Sequence, residues 1–82
     1  MKQTKKRKPH KAAVMMRELR EKRELSQESF AEMVATHKVR CSQVMICQLE
    51  SGERQRPNLL VAARIAEITK QLGKRVPMDA WI

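Results

Sequence analysis

The chain has 82 residues, with 18 Lys and Arg against 9 Asp and Glu for a net charge of +9, and only 17 Leu, Ile, Val and Phe residues in all, enough for one small core. No apolar run approaches the roughly 20 residues that span a bilayer, the charged start has no apolar segment and cleavage site of the kind a secretory signal needs, and two cysteines do not make a disulfide framework. One Phe, one Trp, no Tyr and two Gly, with no sustained polar–apolar alternation, exclude a hairpin-rich sheet and predict helices.

The charge is uneven. Lys2, Lys5, Lys6, Arg7, Lys8 and Lys11 stand without an acid in residues 1–11, whereas residues 12–82 hold 12 basic and 9 acidic side chains. Residues 1–10 read as a flexible basic arm, with Pro9 marking its end. Such an arm on a compact body points to a polyanion, because lysines and arginines displace the counterions condensed on phosphates. The arm is too poor in leucine and aromatics for a membrane-surface helix. Reduced cysteines fit a cytoplasmic location.

Four helices are predicted in order. "KAAVMMRELREKRE" gives the first, over 11–24, with Ala12, Met15, Met16 and Leu19 on one stripe and Glu18–Lys22 and Arg17–Glu21 paired on the wet side. Ser26 caps the second, Glu28 sits in its first turn, Leu25 staples onto Phe30 or its neighbours, and Phe30, Ala31 and Val34 face inward. The polar connection "THKVR" reads equally as a continuation of that helix to about His37 or as a loop. Ser42 caps the third helix, over 42–50. Ile46 and Leu49 face inward, Val39 or Cys41 seals its start, and Gly52 ends it. "NLLVAARIAEITKQ" is the fourth, Asn58 to Gln71, apolar on more than one face and so in need of cover from two sides: the core, and either the tail or a second subunit. In the tail, 74–82, Pro77 opens a last helical turn that brings Met78, Trp81 and Ile82 onto the fourth helix, or the tail is extended and folded back. This is an all-α domain of four or five helices.

"MRELREKRELSQESFA" followed by "CSQVMICQLESGERQRP" resembles the helix-turn-helix of phage-repressor and Cro-like (Xre-type) transcription regulators, over about residues 12–70. The resemblance implies a helix-turn-helix domain over 11–73, a recognition helix at 42–50 for the major groove, and no cofactor or metal. It implies a cytoplasmic homodimer bound to an inverted-repeat operator in duplex DNA, acting as a repressor of phage or mobile-element character. With Ile46 and Leu49 gripping the preceding helix, Ser42, Gln43, Val44, Cys47 and Gln48 are left for base edges. The two glutamines suit adenine, and Val44 suits a thymine methyl. Gln27 resembles the family glutamine that contacts a phosphate. Lys38, Arg40, Arg54 and Arg56, together with Lys5, Lys6, Arg7 and Lys8 of the arm, supply backbone contacts. Arg20 and Glu50 match the family's structural ion pair. The chain departs from the pattern at "ATHKVR", about five residues longer than the usual turn, so the register of the third helix rests on "ICQLESG".

Other functions fit less well. The chain carries no P-loop, no Ser–His–Asp set and no glycine-rich phosphate cradle, so an enzyme is not expected. His37, Cys41 and Cys47 match no common zinc-finger spacing. RNA binding lacks aromatics for base stacking. An antitoxin-type protein, binding both DNA and a protein partner through the fourth helix and Trp81, is the closest alternative.

Overall fold

The computed structural model describes residues 8–82; Lys5, Lys6 and Arg7, and the arm contacts expected of them, lie outside these. The described residues form four α-helices and one 3-10 turn, with no strand among them: α1 (Lys11–Lys22), α2 (Gln27–Val34), α3 (Gln43–Ser51), α4 (Leu59–Leu72) and the turn Met78–Trp81. None of these described helices is long and apolar enough to cross a membrane.

Each helix starts at a side chain that accepts a backbone N–H. His10 Nδ1 accepts from Ala12, Ser26 Oγ from Ser29, Ser42 Oγ from Met45 and Asn58 Oδ1 from Val61. Each such cap satisfies one of the free N–H groups of a first turn and contributes about 1 kcal/mol. The caps at Ser26 and Ser42 stand where the sequence puts them, and Asn58, expected as the first residue of the fourth helix, is its cap. The sequence reading places His10 in the arm, at its end after Pro9. It is tied to the body instead: it caps α1, and its ring lies 5.6 Å from that of Trp81. The Lys8 carbonyl accepts from Gln55 Nε2 at 3.2 Å.

α1 stops at Lys22, two residues short of the predicted end. Arg23 leaves helical geometry and Glu24 takes φ 59, so that Glu24 and Leu25 donate back to the carbonyls of Glu21 and Arg20. This is the left-handed C-terminal motif usually built on glycine. α2 ends at Val34, which settles the status of the following segment: "THKVR" is a loop. Thr36 closes it, its Oγ1 accepting from Lys38 and Val39. Val39 is buried at the start of α3 and Cys41 is half-buried.

The core holds Ala12, Ala13, Met16, Phe30, Ala31, Val34, Ile46, Leu49, Val61, Ile65, Ile68, Val76 and Trp81. Large side chains among them, removed from water, contribute about 1.5–3 kcal/mol each. The predicted stripe of α1 holds at Ala12, Met16 and Leu19 and is wider by Ala13. Ala13 is buried and Met15 half-buried, because α1 meets α3, α4 and the 3-10 turn and needs a wider face than a single row. α2 and α3 pack most closely on each other. α4 packs against α1, α2 and the 3-10 turn, so the tail supplies part of its cover, while Leu59 and Leu60 at its start stay exposed. Of the three tail residues expected to pack there, only Trp81 does. Met78 and Ile82 are exposed, Ile82 lying beyond the end of the 3-10 turn.

Candidate nucleic-acid interface

α3 has two faces. Ile46, Leu49 and the Glu50 side chain are buried. Gln43, Val44 and Cys47 are exposed, Val44 to 58%, and Gln48 is half-buried. Ser42 is exposed at the start of the helix, its oxygen engaged by the Met45 N–H.

A chain of polar contacts holds this face to the body. Arg20 of α1 donates to both oxygens of Glu50, Nε to Oε2 at 2.8 Å and Nη2 to Oε1 at 2.9 Å. Its Nη1 donates to the Leu25 carbonyl at 2.6 Å. Arg20 is 8% and Glu50 6% exposed, so the pair is bidentate and nearly dry. The hydrogen bond to Glu50 raises the Arg20 pKa from its ordinary value; burial opposes this, and the charge of Glu50 adds to it. Glu50 Oε1 also accepts from Gln27 Nε2 at 2.9 Å, and Gln27 Oε1 accepts from Gln43 Nε2 at 2.8 Å. Three helices thus meet in one line of side chains: α1 at Arg20, α2 at Gln27, α3 at Glu50 and Gln43.

The arginine–glutamate pair sits where the sequence resemblance puts it. The sequence does not show that Gln27 joins it to Gln43, because those contacts depend on how α2 crosses α3. The Gln27 side chain, expected at a phosphate, lies between Glu50 and Gln43. One N–H of its amide remains outside these contacts.

The ends of α3 are cationic. Lys38 and Arg40 are exposed in the loop before it, and Arg54 and Arg56 are exposed after it, with Glu53 the one exposed acid in the stretch. Arg54 folds back on α3: its backbone N–H donates to the Gln48 carbonyl at 3.0 Å and its Nε to Gln48 Oε1 at 3.3 Å. Gly52, at φ 90, makes the corner by which the chain leaves α3.

Two arginines not singled out from the sequence have structural work. Arg64 donates to the carbonyls of Met33 and Val34 at 2.9 Å each, closing the C-terminus of α2 from α4. Arg23 donates to the Leu72 carbonyl at 2.7 Å and does the same for α4. The one hint is Arg64 itself, a charge in the otherwise apolar first half of α4. Among the described residues, His37, Cys41 and Cys47 do not gather into a cluster of potential metal ligands. Burial raises the Cys41 pKa. Leu59 and Leu60, at the start of α4, are 75% and 62% exposed, whereas Trp81 is buried. No protein-family model, curated relative or solved structure matches this chain.

Proposed function

We propose that this protein is a sequence-specific, duplex-DNA-binding transcriptional repressor in which α2 and α3 form a helix-turn-helix and α3 reads base edges in the major groove. The observation that carries the reading is the asymmetry of α3. Its inner face and Glu50 are locked into the body. Its outer face presents amide, thiol and small apolar groups between cationic ends. A helix fits the width of the major groove, and amide side chains with both donor and acceptor match base edges there. Lys38, Arg40, Arg54 and Arg56, with the spare Gln27 N–H, flank that face and would meet phosphates, which set register and orientation without carrying sequence information.

Reading by one short helix covers few base pairs, so the protein acts as a homodimer on an inverted repeat with half-sites about 34 Å apart. Leu59 and Leu60, adjacent and exposed at the start of α4, offer apolar surface for that contact. Selection from a random duplex pool by the full chain tests the reading. An enriched inverted repeat, bound more tightly than single-stranded RNA of the same length, is the expected result; an unenriched pool contradicts it.

A further inference from the structure

Arg20 joins α1 to α3, and another flank of α1 faces the end of α4. There Met15 and Leu19 meet Leu72 over a cavity of about 250 Å³, rimmed by Lys22, Arg23 and Lys74. Leu19 is buried, Met15 and Leu72 are half-buried, and the three cations are exposed. No residue of α2, of α3 or of the segments beside α3 lines this groove.

The cations exceed what the fold needs. α1 and α4 both end at the groove, and each helix C-terminus carries about half a unit of negative charge, so the two ends balance about one cation. Lys22, Arg23, Lys70, Lys74 and Arg75 stand at or beside those ends, against Glu18 and Glu24. The sequence pairs Glu18 with Lys22, four residues on. In the structure Glu18 lines the groove, and no ion pair among the described residues includes Glu18, Lys22, Arg23 or Lys74.

Arg23 is also held in place. Its Nε donates to the Leu72 carbonyl at 2.7 Å. Its Nη2 lies 2.9 Å from where a side chain on Gly73 would begin, so the glycine leaves room for the guanidinium. Among the described residues, Nη1 and Nη2 of Arg23 donate to nothing. A guanidinium pinned at Nε with both outer nitrogens open is preorganised for a carboxylate.

We infer that this groove docks a short acidic, amphipathic helix of a partner protein: apolar side chains enter between Met15, Leu19 and Leu72, and carboxylates meet Lys22, Arg23 and Lys74. Cavities that enclose a whole small molecule run about 300–1,000 Å³, so this one seats side chains of a segment instead. There is no strand edge among the described residues to pair with an extended peptide, whereas a helix satisfies its own backbone and lays an apolar face into a groove. Met15 adapts to differently shaped apolar side chains. A nucleic-acid backbone has no apolar group for this floor, and Glu18 on the rim repels phosphate. Such docking needs no DNA on α3.

The test titrates the full chain with a labelled helical peptide about 12 residues long, with leucines three and four apart on one face and glutamate and alanine elsewhere. The peptide should bind, and replacing its leucines by serine should weaken binding at least about tenfold. Lys22→Gln/Lys74→Gln should weaken it about fivefold. Arg54→Gln/Arg56→Gln, which removes the same charge beside α3, should leave it within about twofold. Both double variants alter exposed side chains, and an unchanged urea midpoint shows each to be folded.

Absence of peptide binding overturns the inference. So does equal weakening by the two double variants, which marks attraction to net charge alone. So does equal binding of the serine peptide, which marks a surface that ignores the apolar floor. A random-sequence duplex whose affinity falls in Lys22→Gln/Lys74→Gln and not in Arg54→Gln/Arg56→Gln would assign the groove to nucleic acid and overturn it as well.

Discussion

Glu50 closes α3 with its carboxylate turned away from solvent and three donors directed at it, two from Arg20 and one from Gln27. Removing it strands the Arg20 guanidinium, which keeps only the Leu25 carbonyl and a 3.8 Å approach to Glu21. Glu50→Ala should therefore lower stability by about 3 kcal/mol, the lower end for breaking a buried pair. Gln43→Ala, on an exposed side chain, should cost no more than about 0.5 kcal/mol. Urea unfolding of both variants checks this, and equal midpoints contradict it. A second residue-scale expectation concerns Cys41. Because burial disfavours its thiolate, the rate of its alkylation should rise with pH to a midpoint above the ordinary value of 9.0; a midpoint at or below that value contradicts the burial assigned to it. At this scale the sequence is informative about residue types and poor about links. The cap residues and the inward Ile46 and Leu49 are local and could be read. The bond from Gln27 to Glu50 joins positions 23 apart and arises only from the packing of two helices.

At the scale of elements, the sequence marks helix starts better than helix ends. Starts are written in side chains that cap. The end of α1 is written in no glycine or proline, and the turn at Glu24 holds a glutamate in left-handed geometry at a cost of about 1–2 kcal/mol. Glu24→Gly should recover about 1 kcal/mol of that, read as a raised urea midpoint; a lowered midpoint contradicts the conformation. The end of α2 was equally hidden, since the groups that finish it come from α4. Arg64→Leu removes two charge-assisted bonds to the Met33 and Val34 carbonyls and should cost about 2 kcal/mol in urea unfolding. Base preference should not change, because Arg64 has no contact with the line from Arg20 to Gln43. The loop between α2 and α3 is held by Thr36 and by burial of Val39, which lets a connection longer than the usual turn still deliver α3 onto α2.

At the scale of the whole molecule, composition and charge pointed to one small helical body with a cationic surface, and the all-helical architecture follows from them. The placement of the tail did not. Nothing in "VPMDAWI" distinguishes Trp81, which is buried, from Ile82, which is 90% exposed; that depends on the register of a single 3-10 turn. A body of this charge that contacts about six phosphates should lose on the order of a thousandfold in duplex affinity between about 50 and 200 mM salt. A flat dependence contradicts phosphate binding. Charge alone, however, does not say which face meets the duplex. Cys47 does, because it stands exposed in the middle of the outer face of α3. The most direct measurement is the alkylation rate of Cys47 with and without saturating selected duplex. With α3 in the major groove the rate should fall at least about tenfold on binding; a rate at Cys47 unchanged in the saturated complex would place some other surface on the DNA.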